Sequence, residues 1–135
     1  MLYGANGYTG ELIAELAVRR GQRPVLAGRS AAKVAAVAER LGLEHVVFDL
    51  AEAAENLRDT EVVVHCAGPF SATSRPVVDA CLASGTHYVD ITGEIDVFEA
   101  VAARDAEAKT AGVALVPGAG LDVVPTDCLD RKSVV

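Results

Sequence analysis

Gly4, Gly7 and Gly10 recur every three residues in "GANGYTG", near the start of the sequence. A glycine-rich turn of this kind suits a pyrophosphate. The first glycine lets the chain turn tightly, the second lets backbone N–H groups approach the phosphates, and the third lets a helix pack closely on the preceding strand. A helix beginning at Gly10 would add unpaired N–H groups and the positive end of its dipole. Asn6, Tyr8 and Thr9 lie within the same loop and join the candidate dinucleotide contacts. The spacing is G-x-x-G-x-x-G, not the G-x-G-x-x-G of many NAD enzymes. Its phosphate-binding meaning therefore rests on a strand before it and a helix after it, the alternative being three ordinary turn glycines.

A second group lies at "PVLAGRS", where Arg29 follows Gly10 by nineteen residues. In a dinucleotide fold the tip of the second strand faces the adenosine ribose. An acidic residue there binds the 2′-hydroxyl of NAD, whereas a guanidinium and a hydroxyl suit a 2′-phosphate. Arg29, Ser30 and, one helical turn on, Lys33 favour NADP over NAD; solvated charges at a helix start are the alternative. Asp49 closes the third apolar run and either accepts from the adenine amino group or caps the next helix. "HCAGPFS" contributes Cys66, Ala67, Gly68, Pro69 and Phe70, with a side-chain-poor tip beside the expected crossover. Phe70 either flanks a cofactor ring or joins the core. In "DITGE", Asp90, Thr92 and Glu94 are candidates for the substrate side, and Thr92 or Glu94 equally suits a helix start.

The elements that must hold these residues follow from the apolar pattern. Short β-branched runs occur at 24–27, 45–48, 61–66, 86–91 and 113–117, and Met1-Leu2-Tyr3 forms the stub of a first strand. Between them, helical spacing covers Gly10 to Arg20, Ala31 to Leu41, Arg75 to Ser84 and Ile95 to Ala111. Gly21, Gly42, Gly85 and Gly112 follow these stretches, where a helix C-terminus accepts a positive φ. "GAGLDVVPTD" reads as a loop into a further helix, with Asp122 and Asp127 as possible caps. Strands apolar enough for burial on both faces, alternating with helices, predict an α/β fold. The expected architecture is a Rossmann-type, doubly wound parallel sheet in the order 3-2-1-4-5-6, in a single domain spanning 1–135.

The net charge of −7, from 19 acidic and 12 basic residues, argues against a nucleic-acid partner. Three cysteines, Cys66, Cys81 and Cys128, form no disulfide framework and suggest a reduced, cytoplasmic setting. Glu11 and Glu15 interrupt the first twenty residues, which do not read as a signal peptide, and no apolar run is of membrane-spanning length. His65 and Cys66 alternate across one strand while His45 and His87 belong to others, so no metal site is expected. The Tyr–Lys pair of short-chain dehydrogenases is missing: Tyr3, Tyr8 and Tyr88 are followed four residues on by Gly7, Leu12 and Thr92. No serine stands in a G-x-S-x-G elbow. No catalytic residue is assigned.

Taken together and in order, "GANGYTG", "AGRS", "CAGPFS", "THYVDITGE" and "PGAGLDVVPTD" resemble the N-terminal half of the saccharopine dehydrogenase-like oxidoreductases, a group that includes trans-acting enoyl reductases. The resemblance runs from Leu2 to about Leu129. It implies an NADP-binding domain that is normally followed by a second domain completing the site for a small-molecule or lipid-like substrate. On that reading, "DRKSVV" at 130–135 is an interrupted helix, the first strand is clipped, and the second domain is absent. The chain alone is then expected to bind NADP without turnover. It is also expected to expose apolar surface at Leu121, Val123, Val124 and Leu129 that drives self-association. The other class of function is a non-catalytic NADP-binding or sensing module, since a fold does not dictate chemistry.

Overall fold

Parallel strands cannot be joined by tight hairpins, so each β-branched run must be followed by a crossover that returns the chain to the same end of the sheet. The computed structural model describes residues 1–121 and 123–132, with the backbone alone for 130–132. The expected cap Asp122, and residues 133–135 of the terminal run, lie outside the described residues. The strands are β1 (Leu2–Tyr3), β2 (Leu26–Gly28), β3 (His45–Val47), β4 (Val62–His65), β5 (His87–Asp90) and β6 (Leu115–Val116). The helices are α1 (Tyr8–Arg19), α2 (Ala31–Leu41), α3 (Ala53–Asn56), α4 (Phe70–Ser84), α5 (Ile95–Ala102), α6 (Asp105–Ala111) and α7 (Val124–Lys132), with a 3-10 turn at Leu50–Glu52 before α3.

The strands form one sheet in the order β3-β2-β1-β4-β5-β6, and every neighbouring pair is parallel. β1 is the hinge of this order. Tyr3 pairs with Ala27 on one side and His65 on the other, so strand order reverses at its carboxyl end.

Alternation along the strands divides the core in two. Leu2 and Leu26 point to one face, where they meet Ala14, Val34, Val37 and Ala38 of α1 and α2. Tyr3, Ala27, Val63 and Tyr88 point to the other, against Leu57, Val77, Val78, Val97 and Val101. This is the two-sided cover that a parallel sheet requires. No helix among the described residues is long and apolar enough to cross a membrane.

The helix ends are where tertiary contacts alter the sequence pattern. α1 begins at Tyr8, two residues before the expected Gly10, because extended Gly7 serves as its N-cap and accepts from Glu11 N–H at 2.9 Å. α4 begins at Phe70 instead of Arg75. Pro76 lies inside it, although proline best fits the first helical position and costs an internal bond elsewhere. The extra turn is capped by groups distant in sequence, described below. The single expected helix Ile95–Ala111 is two, α5 and α6, broken at Ala103 and Arg104. At that corner the Arg104 guanidinium binds Asp79 on α4 at 2.6 Å as well as Glu107 on α6. The expected C-terminal glycines hold their positions: Gly42, Gly85 and Gly112 cap α2, α4 and α6 in the left-handed conformation.

Candidate dinucleotide site

Gly4 ends β1 with φ +83°, and a Cβ there would lie 2.8 Å from both Ala67 N and Cys66 C. The turn after β1 is thus pressed against the tip of β4, closer than any side chain permits. Gly4 N–H and Ala5 N–H both donate to Ala27 O, at 2.8 and 3.2 Å, which ties the same turn to β2. Gly10 sits in the first turn of α1, where a Cβ would come within 2.9 Å of Ala5 Cα and would overlap Gly4 O. Gly7 differs from both: a Cβ there meets only Gly4 O, at 3.3 Å. No side chain caps α1, so its first N–H groups remain available at the mouth of the turn.

A cleft of about 530 Å³ opens here, along the carboxyl ends of β1, β2 and β4. Of the residues singled out from the sequence, it is lined by Gly4, Asn6, Gly7, Arg29, Ser30, Lys33, Cys66, Ala67 and Gly68. Tyr8, Thr9, Gly10, Asp49, Pro69 and Phe70 do not line it. Tyr8 points outward and is 83% exposed. Asp49 is exposed and joins the capping arrangement at Leu50–Glu52, its N–H donating to Glu52 Oε2 at 3.0 Å. Phe70 packs edge-on against His65, with ring centroids 5.3 Å apart.

Two lining residues were not anticipated, Tyr3 and Gly28. Gly28 has a legible signal, a glycine ending a strand. A Cβ there would crowd Asn6 Oδ1 and Val34 Cγ2, both at 3.1 Å. Tyr3 has none, because only the tertiary fold brings the end of β1 to the cleft, with its hydroxyl donating to Phe48 O at 3.4 Å. Burial first, and Asp49 second, raise its pKa, while Arg29 lowers it. Arg29 and Lys33 are exposed, and neither forms an ion pair among the described residues.

Beneath the cleft, His65 is fully buried. Its Nε2 lies 3.0 Å from Thr73 Oγ1, whose hydroxyl donates to Ala67 O at 2.6 Å. With that hydrogen committed, Thr73 accepts from Nε2–H, and Nδ1 is left as a buried acceptor with no partner. Burial pushes the His65 pKa down to about 4, against a weaker upward pull from Asp90. Burial pushes the Cys66 thiol up to about 12, with Asp90 adding to the shift. Burial therefore favours the neutral thiol form of Cys66 at neutral pH.

The candidates on the substrate side form a chain of hydrogen bonds. Asp90 and Thr92 are buried. Asp90 Oδ2 accepts from Tyr88 O–H at 2.6 Å, and Oδ1 accepts from Thr92 N–H at 3.0 Å and Gly118 N–H at 2.8 Å. Thr92 Oγ1 accepts from Glu94 N–H at 3.0 Å. Asp90 and Thr92 thus brace the loops after β5 and β6 and do not face the cleft. Glu94 is partly exposed, and its carboxylate accepts from Phe70 N–H and Ser71 N–H, each at 2.8 Å. Those bonds, Phe70 N–H first, hold its pKa below the usual carboxylate value.

Residues 1–116 match the family profile described as the saccharopine dehydrogenase NADP binding domain. The chain belongs to this family. A trans-acting enoyl reductase of Mycobacterium bovis is 32% identical over 99% of this chain and 36% of its own length. The human saccharopine dehydrogenase-like oxidoreductase is 29% identical over 94% of this chain and 35% of its own length. Saccharopine dehydrogenase (L-Glu forming) of Saccharomyces cerevisiae shares the fold with a TM-score of 0.74, at 22% identity, over 90% of this chain and 27% of that one. The chain spans about a third of the length of the curated relatives it matches. Residues 1–116, which match that domain, hold the six strands of the parallel sheet and the glycine turn.

Two outcomes follow for stability. Gly10→Ala drives a methyl group into backbone and should lower unfolding free energy by about 3 kcal/mol, whereas Gly7→Ala should cost less than about 1 kcal/mol. Denaturant midpoints at unchanged slope check this pair. His65 takes up its proton at pH 6.5 when unfolded but only near pH 4 when folded, so its contribution is complete above pH 6.5 and is lost as pH falls towards 4. Acidification from pH 7 to 5 should remove about 2 kcal/mol in the wild type through this group, and His65→Gln should flatten that part of the profile. An unchanged slope in the variant would mean that His65 is not the group titrating.

Proposed function

We propose that the cleft holds NADP(H), and that the chain is the cofactor-binding part of an oxidoreductase acting on a small-molecule or lipid-like substrate. The observation that carries this is the cleft itself. A glycine turn and an uncapped helix N-terminus stand at one part of it, and Arg29, Ser30 and Lys33 at another. The fit can be judged from the residues present. Gly7 leaves open the space that a backbone-bound pyrophosphate needs, and α1 offers N–H groups and a favourable dipole. Arg29 and Lys33 supply positive charge, and Ser30 a hydroxyl, to a 2′-phosphate. Cys66, Ala67 and Gly68 form the remaining wall, against which the nicotinamide half would lie. NADPH, when bound, supplies a hydride; the protein's part is to bind it, orient it and exclude water.

Family membership favours the oxidoreductase over a non-catalytic sensing module. Among the remaining candidates, Tyr8, Thr9 and Gly10 act through the glycine turn and the start of α1, and Pro69 and Phe70 through the corner that leads into α4. Asp49 serves through its capping role. Asp90, Thr92 and Glu94 shape the substrate side. A further domain completes the substrate site, which accords with relatives about three times as long. Of the four apolar residues expected at the surface, Leu121, Val124 and Leu129 are exposed at 80%, 51% and 68% while Val123 is only partly so, which supports an apolar surface that a further domain would cover. Free Cys66, Cys81 and Cys128 suit the reducing cytoplasm.

Calorimetric titration tests the cofactor. The wild type should prefer NADP to NAD, and Arg29→Asp should weaken NADP by about 2 kcal/mol while sparing NAD, through a lost charge-assisted bond and an added repulsion. Equal affinity for both cofactors, or an unchanged variant, would refute the phosphate site. The 135-residue chain should bind NADPH without oxidising it against enoyl and imine substrates, and sedimentation should show association that grows with concentration. Robust turnover would place the whole active site in this domain, and monomer behaviour throughout would remove the association.

A further inference from the structure

Glu94 caps α4 from a position distant in sequence. The N-cap position of α4 is Pro69, which makes no side-chain cap. The first two N–H groups of the helix, at Phe70 and Ser71, would be unpaired without help. The two oxygens of the Glu94 carboxylate each take one of them, at 2.8 Å, across separations of 24 and 23 residues. We propose that Glu94 is a positioning residue for the cofactor: by capping α4 from the β5 loop, it holds the Ala67–Gly68 wall against the nicotinamide half of the cleft. The proposal rests on the dinucleotide reading above.

Three observations support it. The capped corner is continuous with the cleft, since Gly68 lines the cleft and is followed directly by Pro69 and Phe70. A second tether converges there from within α4, where Thr73 O–H donates to Ala67 O at 2.6 Å and lies 3.0 Å from Pro69 O. Glu94 is itself anchored, since its N–H donates to Thr92 Oγ1, and Thr92 N–H donates to the fully buried Asp90. Hydrogen bonds therefore link the loop after β6, through Asp90, Thr92 and Glu94, to Phe70 at the start of α4, two residues past Gly68 of the cleft wall. The adenosine end, at Arg29, Ser30 and Lys33, hangs from β2 and α2 and takes no part in it.

The arrangement predicts an effect confined to one end of the cofactor. On the dinucleotide reading, 2′,5′-ADP carries the adenosine half, with its 2′-phosphate for Arg29 and its 5′-phosphate for the glycine turn, and lacks the nicotinamide half that NADPH adds. Calorimetry on the 135-residue chain should show that Glu94→Ala weakens NADPH by about tenfold, as expected for loss of a charge-assisted cap. Binding of 2′,5′-ADP should stay unchanged within error. Glu94→Gln retains one oxygen acceptor and should show a smaller loss of NADPH. Equal weakening of both ligands would mark general damage and overturn the proposal, as would NADPH binding at wild-type strength in the alanine variant. Should Glu94→Ala not fold, the glutamine variant decides: NADPH weakened with 2′,5′-ADP spared supports positioning, and no selective loss refutes it. A wild type that binds neither ligand would instead bring down the dinucleotide reading, and the positioning role with it.

Discussion

The close approach of Gly4 to the Cys66–Ala67 peptide governs the geometry of this domain. A side chain at Gly4 would overlap backbone that belongs to β4, and backbone has nowhere to retreat in a six-stranded parallel sheet. Only with Gly4 bare can the turn after β1 settle between the tips of β2 and β4. Gly10 repeats the constraint one step later, since α1 can lie over that turn only without a Cβ there. Once both contacts are made, the start of α1 is aimed along the reversal in strand order and the cleft follows. At Gly7, by contrast, a Cβ would meet only Gly4 O, so the missing side chain leaves space in the cleft rather than room for packing.

The carboxyl edge beyond the cleft is organised by polar groups inside an otherwise apolar sheet. His65, Asp90 and Thr92 are buried. Burial of such groups is tolerable only when they are hydrogen-bonded, and Asp90 meets this condition with Tyr88, Thr92 and Gly118. These bonds join the end of β5 to the loops that follow β5 and β6. His65 Nδ1 is the one buried side-chain polar atom among the described residues without a partner. The same burial that leaves it unpaired keeps the ring neutral, so the floor beneath the cleft carries no positive charge at neutral pH.

Charge is distributed with the same economy. The protein carries a net charge of −7, yet the cleft presents Arg29 and Lys33. Elsewhere Arg40 pairs with Glu11 and Glu15, and Arg104 with Asp79 and Glu107. These surface pairs add little stability individually, but they hold α1 to α2 and α4 to α6. Cations committed in this way are not available to a phosphate, whereas those at the end of β2 are.

What the sequence determined by itself was local or periodic. Alternating apolar runs specify a parallel α/β sheet because burial on both faces and 3.6-residue helical spacing leave their mark residue by residue. Gly4, Gly7, Gly10 and Arg29 were legible because a turn and a strand tip place neighbouring residues together whatever the rest of the chain does. The start of α4 at Phe70, the break at Arg104 and the burial of Asp90 were not. Each depends on partners 23 to 28 residues away, through Glu94 to Ser71, Asp79 to Arg104 and Gly118 to Asp90. The residues of "DITGE" read as candidates for the substrate side or a helix start, and only the packed sheet decided that Asp90 and Thr92 turn inward while the Glu94 carboxylate caps α4. Propensity acts over a few residues, whereas hydrogen bonds between loop ends form only after the strands that carry those loops have been brought side by side.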